Sequence, residues 1–340
     1  MEANTEPDKI TEVTDSESKP DVKDTAISNE ITEFVGDFHN TYLINLDSTK
    51  DQYAIGFFMN EHLKLPGAYW CISALNLLNK LNDDRKDEMI KFINSWQSED
   101  GGIGGNYQHD SHITWWLYAV LILCQYDALD SIDTESLANF VAGLQQEDGS
   151  FSGDSRFSYT AISWLTLLNK IDLIDIKKAR EYVLRCHNID GAFGAVPDAE
   201  SHAAYTFWCI GALAILGDLD LVNLDDLGIW LSQRQTLQGG FNGRPEKLPD
   251  VWYSWWIMST WYMINRADLI DLKQLERYIL NCQDDLYGGI GDRPGNEVDV
   301  FHTFFGIAAL SLMGRYDLNH IDPRFAIPTN VLETVFPHIK

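Results

Sequence analysis

Residues Gln235 to Gly243 read QTLQGGFNG, and variants of that phrase stand at four other places: QSEDGGIGG from Gln97, QQEDGSFSG from Gln145, HNIDGAFGA from His187 and QDDLYGGIGD from Gln283. The intervals between copies are 48, 42, 48 and 48 residues. The chain is therefore an array of one supersecondary unit, and that unit decides the fold. Ahead of each glycine turn lies a segment such as Asp175–Cys186 or Asp225–Arg234, with apolar residues at helical spacing among charges, the pattern of a helix with one wet face. Behind the turns lie segments apolar and aromatic on all sides: Ile113–Cys124, Ala203–Leu216, Val251–Ile264 and Thr303–Met313. Helices of that kind are buried. Five or six such pairs form an open solenoid, or a closed toroid with the buried helices inside and an apolar cavity at the centre. The glycines are expected at helix C-caps and tight turns, where positive φ is needed.

Composition narrows the rest. The 340 residues include 45% hydrophobic side chains, enough for one large core. With 25 Lys+Arg against 51 Asp+Glu, the net charge of −26 would repel a nucleic-acid backbone. Five widely spaced cysteines (Cys71, Cys124, Cys186, Cys209 and Cys282) form no CxxC pair and no even set, so neither a disulfide framework nor a zinc ribbon is expected, and the cytoplasm is the expected compartment. No apolar run reaches the ~18 residues of a membrane span. Residues 1–30 carry nine acids and three lysines with almost no large apolar residue. They are expected to be a disordered acidic tail, without a targeting segment, ahead of one domain over 31–340.

The repeat register exposes a candidate site. Eleven residues after the first glycine of the turn stand His112, His202, Asp250 and Asp299, and fourteen after it stand Trp115, Tyr205, Tyr253 and His302. Each alone would be a capping or hydrogen-bonded residue. Four in one register place a polar, titratable ring at the mouth of an apolar pocket, the default position of an active site. Asp250 and His302 offer oxygen and nitrogen donors of the kind zinc accepts. Arg244 and Lys247, in GRPEKLPD just ahead of Asp250, could hold an anion such as a diphosphate.

At this point the resemblance becomes specific. The stretches around Gln235–Trp256, Cys282–Gly314 and ESHAAYTF (Glu200–Phe207), with LPGAYW (Leu65–Trp70), HDSHITWWLYAVLILCQYD (His109–Asp127) and LQQEDGSFSGD (Leu144–Asp154), resemble the β subunits of protein prenyltransferases, above all the Rab geranylgeranyltransferase (type II) branch. Similarity runs from about Leu63 to Pro328. It implies an all-α fold, a closed α/α barrel (toroid) of about six helical hairpins, whose central apolar tunnel holds an isoprenoid diphosphate while a zinc-bound protein thiolate attacks C1. His202, Arg244, Lys247 and Tyr253 would bind the diphosphate. Arg156 keeps a family position at the substrate cleft. Asp292 matches a position linked in relatives to magnesium, and Asp250 and His302 match two of three zinc ligands. Asp250, Tyr253, His302 and Asp299 form the expected catalytic group. The implied partners are a prenyltransferase α subunit, a Rab escort protein, Rab GTPases and geranylgeranyl diphosphate.

Two departures from the family pattern stand out. Its zinc motif reads Asp-x-Cys-Tyr, whereas this chain reads Asp250-Val251-Trp252-Tyr253, and an indole has no lone pair for a metal. Asp299 is the residue that could supply a substitute oxygen. The alternative is a subunit that binds lipid without transferring it. Second, the 42-residue interval shortens the loop before Arg156 and Phe157. At the positions that govern lipid length the chain has Pro66, Leu117 and Tyr159, a pattern that leans to the twenty-carbon lipid. Trp70, Trp116, Tyr205, Phe207 and Trp256 are the remaining tunnel candidates. A terpene cyclase on the same barrel would need an Asp-x-Asp-Asp cluster, and the sequence has none.

Overall fold

The computed structural model describes residues 31–46, 64–98, 100–104, 110–151 and 153–339. The expected tail, residues 1–30, lies outside them. Among the described residues, six outer helices alternate along the chain with six inner ones. The outer set is α1 (Gly36–Leu46), α3 (Lys86–Asn94), α5 (Thr134–Ala142), α7 (Ile176–Arg185), α9 (Leu224–Ser232) and α11 (Leu272–Asn281). The inner set is α2 (Lys64–Leu77), α4 (Ile113–Gln125), α6 (Ser155–Leu167), α8 (Ala203–Leu216), α10 (Trp252–Ile264) and α12 (Val300–Leu312). Each inner helix packs on the next, and α12 packs back on α2, so the ring is closed. Short hairpins, β1 (Ile290–Gly291) with β2 (Val298–Asp299) and β3 (Ile321–Asp322) with β4 (Ile327–Pro328), and a last helix α13 (Thr329–Val335) complete the described chain.

Adjacent repeats are clasped by the residue that opens each turn. The Gln235 amide donates to the carbonyl of Asp271 and accepts from its N–H, both at 2.9 Å, and Asp271 is the N-cap of the next outer helix. Gln145 does the same with Asp175, and Gln97 with Asp133. Gln283 turns instead to the start of the chain, donating to the Glu33 carbonyl and accepting from Val35 N–H and from His39 Nε2. Helix α1 thus stands where the next outer helix after α11 belongs, and the ring closes on its own N-terminal segment.

The turn glycines take the tight-turn role expected of them, and Gly217 (φ 77°) is a left-handed C-cap at the end of the inner helix α8, but the outer helices depart from the expectation. The outer helices α3, α5, α7, α9 and α11 end in right-handed residues, not glycine C-caps in the left-handed region. The first glycine of each turn comes later, at positive φ, where the chain presses on the next outer helix. At Gly149 (φ 91°) a Cβ would lie 2.1 Å from the Lys178 carbonyl oxygen, and at Gly239 (φ 93°) 2.4 Å from that of Gln274. Both the dihedral and the close approach require glycine.

Five of the inner helices, α4, α6, α8, α10 and α12, follow a glycine turn in the same sense, so their N-termini meet at one rim. The segment after α12 closes the opposite floor: Asn319 N–H bonds the Leu77 carbonyl at the end of α2, and His338 Nε2 bonds that of Thr166 near the end of α6. The β3–β4 turn buries Phe325, while its Arg324 and Ala326 carbonyls accept from the hydroxyls of Tyr159 (2.6 Å) and Tyr69 (2.9 Å).

Candidate functional site

The shared register of His112, His202, Asp250 and Asp299 has a structural cause: all four satisfy N–H groups left open at inner-helix N-termini. His112 Nδ1 accepts from Thr114 N–H and His202 Nδ1 from Ala204 N–H, each at 3.2 Å. Asp250 Oδ1 accepts from Trp252 N–H at 3.0 Å and Asp299 Oδ1 from His302 N–H at 2.9 Å. A capped imidazole keeps a second nitrogen. In His202 the accepting Nδ1 leaves the ring proton on Nε2, which donates to Tyr253 Oη at 3.2 Å. The Tyr253 hydroxyl is then free to donate outward. Burial, reinforced by Arg244, holds the His202 imidazole below its ordinary value, so it stays neutral.

His202 and Tyr253 line a cleft of about 290 Å³ together with Arg244, Lys247, Leu248, Pro249, Asp250 and Arg293. In a chain of net charge −26, three cations gather there against one carboxylate. Arg244 is steered by an ion pair with Glu200 at the lip. The expected residues His202, Arg244, Lys247, Asp250 and Tyr253 are therefore brought together. Arg293 was missed, although its place in the repeat, five residues after the turn glycine, is that of Arg244.

Beside the cleft, His302 lies between two carboxylates. Its Nδ1 is 2.6 Å from Asp299 Oδ2 and its Nε2 is 3.3 Å from Asp250 Oδ1. Burial alone would lower the imidazole, but Asp250 and Asp299 outweigh it and lift it to about 9. Asp299 therefore sits on the ring edge opposite Asp250, engaged in capping and in orienting His302, and does not stand beside the pair as a substitute ligand. Trp252 fills the third position with an indole packed against Phe301 (5.2 Å between ring centroids), Tyr253 and Trp256, its buried Nε1 without a hydrogen-bond partner among the described residues. Among the described residues no three His, Cys, Asp or Glu side chains converge as a metal-ligand group. The donor set does not fit the three-ligand zinc site that the resemblance implies.

Other expected residues lie elsewhere. Arg156 is bound by Asp154 (2.9 Å) and stacks over Phe157 and Trp208 on the rim, outside the lining of the cleft. Asp292 stands behind Arg293, its two oxygens taken by Arg293 and Asn296. Leu117, Trp70 and Tyr205 are half-buried on inner helices, and Trp256 stacks on Phe207 and Phe305. Trp116 packs against Trp164 and, like Phe207, is fully buried, so these two belong to the packed core and not to an open lining. Tyr159 is buried against Phe207 and anchored on Arg324.

A closed ring of paired helices with a cationic cleft at its rim defines a class, and the comparisons agree. Residues 36–327 match the prenyltransferase alpha-alpha toroid domain, and the chain belongs to that family. It is 45% identical over 306 residues to the geranylgeranyl transferase type-2 subunit beta of Saccharomyces cerevisiae, covering 86% of this chain and 94% of that protein. It is 47% identical over 329 residues to the probable geranylgeranyl transferase type-2 subunit beta of Dictyostelium discoideum, covering 94% and 96%. Among solved structures, the Candida albicans protein geranylgeranyltransferase-I complexed with GGPP shares the fold, with a TM-score of 0.81 at 24% identity over 91% of this chain and 100% of that one.

Proposed function

We propose that the chain is the β subunit of a protein geranylgeranyltransferase, paired with an α subunit in the cytoplasm, that transfers a geranylgeranyl group from its diphosphate to C-terminal cysteines of Rab GTPases presented by an escort protein. The observation that carries this reading is the cleft itself, where Arg244, Lys247, Arg293, His202 and the Tyr253 hydroxyl surround one anion-sized space at the rim of an aromatic ring of helices. The relatives named for type-2 geranylgeranyl transfer support the choice of reaction. Among the described residues no helix is long and apolar enough to cross a membrane.

In this reaction the thiol sulfur bonds to C1 as the C1–O bond breaks, and the diphosphate leaves with the bonding pair. The barrier falls to the extent that fixed donors meet the charge growing on the departing oxygens. Arg244 and Lys247 supply the charge, Tyr253 supplies a neutral donor aimed by His202, and Asp250 offers a carboxylate for the thiol proton. No step is assigned to zinc or magnesium, because the residues present complete neither site. Trp252 favours a second reading, a subunit that binds the lipid diphosphate but transfers it slowly or not at all. Transfer of tritiated geranylgeranyl from its diphosphate to a Rab GTPase by the purified heterodimer tests the first reading. Tight lipid binding with no transfer would establish the second.

A further inference from the structure

Two loops of the rim are built alike. The Gly243 carbonyl, four residues after the turn glycine Gly239, accepts from Ala203 N–H at 2.8 Å and so docks its loop on the first turn of α8. The Asp292 carbonyl, four residues after Gly288, accepts from Val251 N–H at 2.9 Å and docks the next loop on the start of α10. The residue that follows is arginine in both, and Arg244 and Arg293 line the same cleft as His202, Asp250 and Tyr253. At the corresponding place one repeat earlier, Ala195 accepts from Ser155 N–H and is followed by Val196, so docking is general but the cation is not.

The Asp292 carboxylate is already committed. Oδ2 accepts from Arg293 Nε at 2.9 Å and pairs with Nη2 at 2.9 Å, while Oδ1 accepts from Asn296 Nδ2 at 2.8 Å. These bonds hold one edge of the guanidinium, and its Nη1 N–H groups have no partner among the described residues. A divalent cation at Asp292 would have to share these oxygens with Asn296 or Arg293 and would stand next to the guanidinium charge. The site described by the resemblance, a carboxylate free to hold magnesium, is not the site present here.

Resting on the diphosphate reading above, we propose that Arg293 is a third diphosphate-binding side chain, aimed by Asp292, and that it supplies the positive charge which a divalent cation would otherwise bring to that end of the cleft. Asp292 is a positioning residue in this scheme, acting through Arg293. An arginine fork suits two oxygens of one phosphate, which a point charge does not match in geometry.

The test is binding of inorganic pyrophosphate and of geranylgeranyl diphosphate to the full chain with its α subunit, followed by tryptophan fluorescence with magnesium present and after chelation. The wild type should bind both ligands with affinities that change less than about twofold on chelation. Arg293→Ala should weaken pyrophosphate binding by about tenfold or more, as loss of a charge-assisted hydrogen bond predicts. Magnesium should restore much of that loss, because the variant frees Asp292. Arg293→Lys, which keeps the charge and guards against misfolding, should bind better than the alanine variant. Unchanged affinity in Arg293→Ala, or wild-type binding that requires magnesium, would overturn this inference and leave the diphosphate reading in place. Failure of the wild type to bind either ligand would overturn both.

Discussion

The two halves of the rim differ in completeness. On the anion side, Arg244, Lys247, Arg293, His202 and Tyr253 face one cleft with compatible charge and aim. On the side where the resemblance implies a metal, Asp250 and His302 meet each other, Asp299 holds the far edge of the imidazole, and a tryptophan stands at the position of the implied third donor. Each half is built on helix N-termini of the same repeat, so the difference does not come from the scaffold. A repeat scaffold fixes where side chains stand, and single residues decide which chemistry each position performs.

The largest expected effect comes from repairing the incomplete half. Trp252→Cys should raise zinc affinity by more than about a hundredfold, since loss of mere supporting residues around a metal costs about 10–100-fold. Metal analysis after gel filtration should then find one zinc per chain, and cobalt substitution should show a thiolate-to-metal absorption band. No gain would mean that the metal half carries a further defect. Next in size, Arg244→Ala combined with Lys247→Ala should weaken geranylgeranyl diphosphate binding by about a hundredfold, because two charge-assisted contacts are lost. Metal content should not move, which keeps the halves distinguishable.

A smaller effect is a titration. The folded value of His302, about 9, lies above its ordinary 6.5. Its charged form therefore stabilises the fold fully below about 6.5, and that contribution is lost as pH rises through about 9. Asp299→Asn should bring the NMR titration of His302 down toward the ordinary value and flatten the alkaline loss of stability. The smallest effect is Tyr253→Phe, which removes one neutral donor and should weaken diphosphate affinity by about 2–10-fold, read by the same fluorescence titration.

Much of this arrangement was legible in the sequence, for physical reasons. The glycine turns recur because each must press on the next outer helix, so their spacing reported the hairpins directly. The polar register at the rim was visible because α4, α8, α10 and α12 each carry a capping residue at the same distance from the turn glycine. Closure by α1 was not visible, since none of the five turn phrases stands between that helix and α2, and it is recognised through the bonds from Gln283. Helix α12 starts at Val300 instead of Thr303, because Asp299 caps it and draws Phe301 and His302 into its first turn. Trp116 and Phe207 could be read as lining or as core for a related reason: a helix apolar on all sides does not reveal which face turns inward, and the structure buries both. Arg293 could have been found by carrying the register of Arg244 one repeat further.

The most direct test is calorimetric titration of the purified heterodimer with geranylgeranyl diphosphate, before and after removal of zinc by a chelator, with metal content measured on the same sample. One lipid diphosphate should bind per chain, equally well in both conditions, with less than one zinc per chain throughout, as the incomplete donor set around Trp252 requires. One tightly held zinc whose removal abolishes lipid binding would contradict this.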